Sequence, residues 1–209
     1  MTYLTVENYE QSVDIRRSEF ITIVRHVTSE EEFFSQLNQI RKKYSDATHV
    51  CYASVFDSTG NSARFSDDGE PSGTAGAPIL DAIKGAGVRE VLVAVVRYFG
   101  GIKLGAGGLV RAYSSSASDA LKNAKKLLCE PTDYYQLKLD FSTAKRATSA
   151  ITKSGIRIEK TEYSDQVTLT LAVRSGEQIT TTIADILGAK PNLEYIESGY
   201  SQRPVVENE

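Results

Sequence analysis

The sequence predicts an α+β protein of two domains, and three observations carry that expectation. Eleven of its 15 glycines fall between positions 60 and 108, so unusual backbone geometry is confined to one stretch. Residues 91–99 form a nearly unbroken apolar run, the pattern of a central strand buried on both faces. After Glu130-Pro131-Thr132 the texture changes to short, regular, glycine-poor elements in the order βαββαβ, the ferredoxin-like arrangement. The predicted domains are therefore 1–130 and 131–209.

Residues 20–27 alternate as a strand does. Ser29 and Glu32 read as a capping box, and Phe33, Leu37, Ile40 and Tyr44 follow at helical spacing. Residues 50–56 are rich in strand formers. A helix over 104–126 is expected to carry Leu109, Tyr113, Ala117, Leu121, Ala124 and Leu128 on one stripe. The second domain reads as strand 134–141, helix 144–153, strands 156–163 and 167–173, helix 177–187 and strand 193–198. Thr143 and Ser175 are the expected N-caps, while Gly155 and Gly188 stand where a left-handed C-cap is wanted.

Composition excludes several classes. Hydrophobic residues make up 41% and charged residues 24%, a globular balance, and no apolar run reaches the roughly 20 residues of a membrane span. The first ten residues carry no signal-peptide core, which predicts a cytoplasmic protein with no membrane partner. Two cysteines without paired spacing indicate neither a disulfide framework nor a structural zinc site. Net charge is −3, so any phosphate binding must come from local clustering of cations.

Such a cluster follows the apolar run. Arg97-Tyr98-Phe99-Gly100-Gly101-Ile102-Lys103-Leu104-Gly105-Ala106-Gly107-Gly108-Leu109-Val110-Arg111 joins a buried strand to a helix through five glycines. Glycines expose backbone N–H groups, a helix N-terminus concentrates them, and Arg97, Lys103 and Arg111 bracket the loop. These are the components of a phosphate site at Arg97, Gly100, Gly101, Lys103, Gly105, Gly107, Gly108 and Arg111. Ala106-Gly107 replaces the Lys-Ser/Thr pair of a Walker A loop, and the dinucleotide fingerprint also fails. An equally weighted reading is that the glycines let the helix pack closely on the sheet.

The stretch Arg64-Phe65-Ser66-Asp67-Asp68-Gly69-Glu70-Pro71-Ser72-Gly73-Thr74 offers Asp67, Asp68 and Glu70 as oxygen ligands, acid/base groups or turn-forming side chains. The turn is the favoured reading, followed by a helix cap at Thr74, so no metal and no cofactor is expected. His49 and Cys51 share a face of a strand, a poor geometry for a catalytic dyad, and no catalytic residue is assigned. Arg64 and His49 are secondary candidates beside the phosphate site.

These two stretches, with Asp46-Ala47-Thr48-His49 ahead of them, resemble the signature of the Impact/YigZ family in its bacterial two-domain form. At the start, Arg17-Ser18-Glu19-Phe20 stands where the family tends to carry Lys-Ser-x-Phe. The resemblance implies an N-terminal domain like domain two of ribosomal protein S-five and a C-terminal domain like the last domain of elongation factor G. It also implies a role in translation, since eukaryotic Impact proteins restrain a translation-initiation kinase by competing for its activator. The expected function is that of a binding protein contacting RNA or the ribosome, with a protein partner in translation control as a further option. The alternative is an enzyme or binding protein for a small phosphorylated or nucleotide ligand at the same glycine-rich face.

Overall fold

The computed structural model describes residues 1–205. The last four residues of the predicted second domain lie outside the described residues. The elements run β1 (Tyr3–Val6), β2 (Tyr9–Ile15), β3 (Ser18–His26), α1 (Glu30–Lys43), β4 (His49–Val55), β5 (Ala63–Ser66), α2 (Gly76–Ala86), β6 (Val91–Tyr98) and α3 (Ala106–Asn123). They continue with β7 (Lys126–Leu139), α4 (Phe141–Lys153), β8 (Arg157–Tyr163), β9 (Val167–Arg174), α5 (Thr180–Leu187) and β10 (Leu193–Pro204). The chain is a mixed α+β protein of two compact units. One holds Tyr3–Leu128 and the chain from Arg203, the other Met1–Thr2 and Cys129–Gln202. Among the described residues no helix is long and apolar enough to cross a membrane.

In the N-terminal unit one sheet runs β2-β3-β6-β4-β5. Every pairing in it is antiparallel. The apolar run forms β6 at its centre, and because cores cover both faces of the strand its residues stay apolar from Val91 to Val96, with Arg97 the first polar one. Val91, Val93 and Val95 face the core under α2 and α3. Leu92, Ala94 and Val96 face the core under α1, beside Phe33, Leu37 and Ile40. Helix α1 begins as expected, with Glu32 N–H donating to Ser29 Oγ at 3.1 Å. The Glu32 carboxylate completes the cap one residue earlier, accepting from Thr28 N–H at 2.8 Å and not from Ser29.

Helix α3 is shorter than predicted. Its buried stripe holds Leu109, Ala112, Tyr113, Ala117, Ala120 and Leu121, but the backbone turns extended at Ala124 (ψ +136°). Leu128 therefore belongs to β7. Apolar spacing continued past the point where the helix stopped, because a strand residue happened to fall in phase with the stripe.

In the C-terminal unit β10 pairs with β7, β7 with β9 and β9 with β8. The last two pairings are antiparallel. That order is the one the split βαββαβ topology requires. Leu137, Leu169, Leu171, Ile151 and Ile183 form the core between this sheet and helices α4 and α5. Two predicted caps shift. Asp140 caps α4, accepting from Thr143 N–H at 2.9 Å, so Thr143 lies inside the first turn. Helix α5 begins after Ile179 without a side-chain cap, and Ser175 instead donates to Asp133 at 2.9 Å. Gly188 ends α5 at φ +68°, as anticipated.

Candidate functional site

The site lies in the N-terminal unit, where the end of β6, the glycine loop and the start of α3 meet the Asp67–Glu70 turn. Antiparallel pairing sets Arg97 of β6 opposite His49 of β4 and Phe20 of β3. Its guanidinium is turned inward. Arg97 is 5% exposed, donates from Nη1 to Glu70 Oε1 at 2.7 Å, and reaches Ser18 Oγ at 3.3 Å. The rings of Phe20 and Phe99 lie 5.4 and 5.5 Å from its Cζ. Arg97 is therefore a neutralised, buried partner of Glu70, and its charge is not free to meet a phosphate.

Glu70 anchors a polar cluster. Tyr113 of α3 donates to its Oε1 at 2.7 Å, and Cys51 donates to Tyr113 Oη at 3.4 Å and to the Asp67 carbonyl at 2.9 Å. His49 Nδ1 donates to the Asp68 carbonyl at 2.8 Å, leaving Nε2 4.0 Å from Glu70. Burial pushes the Cys51 thiol up to about 12 and the Tyr113 phenol well above its ordinary value. Both stay protonated at neutral pH, so Cys51 is no thiolate nucleophile.

The three carboxylates of the turn are directed apart. Asp67 accepts from Gly73 N–H at 2.8 Å and from Ala75 and Gly76 N–H at 2.9 Å each, which makes it the cap of α2. Thr74 does not cap that helix, because its hydroxyl donates to the Pro71 carbonyl at 2.6 Å. Asp68 accepts from Val50 N–H at 2.7 Å and Arg41 at 3.2 Å. Among the described residues no set of three His, Cys, Asp or Glu side chains is placed to hold a metal ion. Burial alone would raise the Asp67 carboxyl, but its three backbone donors hold it below the ordinary value. A depressed carboxylate contributes stability above its unfolded pKa of about 4 and loses it as pH falls through the folded value. Asp67→Ala is expected to cost about 1–2 kcal/mol at pH 7. In urea unfolding followed across pH, the gap to the parent should close below about pH 4.

Beside this cluster opens a cleft of ≈ 370 Å³ lined by Glu70, Arg97, Phe99, Lys103, Gly105 and Ala106, among others. Helix α3 starts there with Gly105 as N-cap at φ +71° and no side-chain capping bond. The N–H groups of its first turn have no intrahelical acceptor. Lys103 is exposed and lines the cleft.

The other predicted site residues disperse. Gly100 is structural: its N–H donates to Ser18 Oγ at 3.3 Å, and its backbone lies against the Arg17 carbonyl. Gly101 makes an exposed turn at φ +86°. Gly107 and Gly108 occupy the first turn of α3. Gly108 and Arg111 face a neighbouring groove of ≈ 540 Å³ with Arg16 and Leu104. Arg64 is tied to α1 by an ion pair with Glu30 and stacks over Phe34.

Two further cations belong to this region. Arg16 and Arg17 form the β2–β3 turn at φ +48° and +68°, where glycine or asparagine is the usual choice. Arg16, Arg17, Lys103 and Arg111 are exposed, and none has an ion-pair partner among the described residues. Their signal in the sequence was an Arg-Arg pair between two alternating segments.

Comparison with known proteins bears on this region. The Impact N-terminal domain matches residues 16–121, which contain the cleft and its rim. The chain is 34% identical over 177 residues to the IMPACT family member YvyE of Bacillus subtilis, covering 84% of this chain and 82% of that one. It is 34% identical over 166 residues to YigZ of Escherichia coli, covering 78% and 81%. A solved structure described as that of a hypothetical protein shares 31% identity, covers 94% of this chain and 98% of its own, and superposes with a TM-score of 0.63.

Proposed function

The chain belongs to the Impact family, and from that premise we propose that it is a non-enzymatic binding protein that contacts RNA or the ribosome and modulates translation. One observation carries the reading: four exposed cations without ion-pair partners among the described residues lie on the β2–β3 turn, the glycine loop and the early turns of α3, whose N-terminus has no side-chain cap, and Arg16 and Arg111 line one groove. Positive side chains and unpaired N–H groups are what a phosphate backbone needs, and nothing in their placement demands a base sequence. The chemistry beside them supports binding over catalysis. Cys51 is a buried thiol, Tyr113 a buried phenol, and Glu70 is matched to Arg97.

Arg97 plays no part in the test, since reversing its charge would set two carboxylates together in the core. The informative variant is Arg16→Glu, Lys103→Glu, Arg111→Glu, three exposed positions where substitution leaves stability nearly unchanged. In co-sedimentation with ribosomes and total RNA, the parent should pellet at low salt and lose about twentyfold in affinity between 50 and 200 mM salt. The variant should lose about tenfold or more at low salt. Equal binding by the two proteins would remove the rim from the interface. No binding by the parent at low salt would overturn the reading itself.

A further inference from the structure

We infer that RNA lies as an unpaired strand along helix α3, its bases over three connected grooves and its phosphates on Lys103, Arg16, Arg111, Lys122 and Lys126. This rests on the RNA reading above and adds to it a path, a length and a preference for single strands.

The grooves follow one another beside the helix. The cleft of ≈ 370 Å³ at the start of α3 and the groove of ≈ 540 Å³ next to it share Leu104 in their linings. The second shares Ser114 with a third, of ≈ 390 Å³, that opens between α2 and α3. Each passes to the next through one residue, so the three make one path along an 18-residue helix. At 1.5 Å per residue that helix is about 27 Å long. A stacked strand advances about 3.4 Å per nucleotide, so the path takes at most about eight nucleotides, and fewer where bases splay.

Cations are spread along the whole path. Lys103 lines the first groove, Arg16 and Arg111 the second, and Lys122 and Lys126 the third. None of the five has an ion-pair partner among the described residues. Arg111 stands in the costliest place, because its Nη1 lies 3.7 Å from where a β-carbon on Gly107 would be, over the first turn of α3. The helix dipole disfavours a cation there, and no acidic residue in that turn offsets it. An anion over this turn would answer both. Among the described residues the three linings hold two carboxylates, Asp81 and Glu70, and Arg97 neutralises the second.

Between the cations the floors are apolar, with Ile15, Leu104 and Val110 in the second groove and Leu121 in the third. A duplex keeps its base faces stacked inside and would leave these floors uncovered. An unpaired strand lays base faces on them while its phosphates meet the cations at the rims. The Phe99 ring, 45% exposed in the first groove, and the two guanidinium planes of the second are surfaces on which bases stack.

The test uses the full chain and fluorescein-labelled oligouridylates of four and twelve nucleotides, followed by anisotropy across a salt series. The twelve-mer spans the path, so its slope of log K against log salt should exceed that of the four-mer by about 1.4, two further contacts at about 0.7 each. Lys122→Ala, at an exposed helical position, should make the twelve-mer slope shallower by about 0.7. A twelve-base-pair RNA duplex and an abasic twelve-mer of equal charge should each bind about tenfold or more weakly than the oligouridylate. Equal binding of the duplex or of the abasic strand, or an unchanged slope in Lys122→Ala, overturns the path and leaves the RNA reading standing. A twelve-residue polyglutamate bound as tightly as the oligouridylate overturns it in favour of an acidic protein partner. No binding of any RNA by the parent at low salt overturns the RNA reading and the path with it.

Discussion

Gly100→Ala should unfold the N-terminal unit or cost it roughly 3 kcal/mol or more. A β-carbon at position 100 would stand 1.7 Å from the Arg17 carbonyl oxygen, 2.2 Å from its carbon and 2.8 Å from Ser18 N. All three are backbone atoms, so no side chain can rotate out of the way. Neither strand can yield cheaply. Ser18 opens β3, whose residues from Glu19 to His26 are paired with β6, and Arg17 already holds the left-handed region at φ +68°. Separating them would break the contact that sets the arginine turn beside the glycine loop. Gly107→Ala is the control: the nearest atom to its new β-carbon is Arg111 Nη1 at 3.7 Å, and alanine suits a helix better than glycine by about 0.5–1 kcal/mol. Urea unfolding of both variants should show Gly107→Ala at or above the parent midpoint and Gly100→Ala far below it. A Gly100→Ala protein with the parent midpoint would mean that the loop does not approach β3 as described.

Arg97→Ala should cost about 3–5 kcal/mol, because it strands the Glu70 carboxylate in a buried setting. The pair is 6% and 4% exposed at its two side chains, so water cannot take over the role of the guanidinium. Tyr113 and His49 do not replace it: the first is a neutral donor already bound, and the second lies 4.0 Å away. The doubly apolar variant Arg97→Met, Glu70→Leu should recover much of the loss, since an ion pair replaced whole leaves no charge uncompensated. Thermal unfolding of Arg97→Met, Glu70→Leu and the double variant closes the cycle. Additive losses would show that the two side chains do not act as one unit.

Both results turn on residues whose meaning was half legible in the sequence. The central strand was readable because burial on two faces leaves an unbroken apolar run, and β6 has one. The C-terminal topology was readable because helical and strand periods alternate clearly there and Gly155 and Gly188 punctuate them. Local rules failed where a partner sits far away in the chain. Asp67 caps a helix that starts nine residues later, so Thr74, the nearer hydroxyl, drew the assignment. Arg97 counted as a free cation because Glu70, 27 residues before it, meets it through the fold alone. The turn at Arg16 and Arg17 is hidden for the opposite reason, since arginine is an unusual choice at positive φ. The glycines divide likewise. Gly100 answers a backbone contact, whereas Gly105 leaves a helix end open beside Lys103.

The most direct test of the central claim is the salt dependence of single-stranded RNA binding by the parent protein and by Lys103→Ala. Contacts from three or four of the rim cations predict a slope of log K against log salt of about −2 to −3, shallower by about 0.7 in Lys103→Ala. A slope near zero, or one that Lys103→Ala leaves unchanged, would contradict the assignment of this face to phosphate.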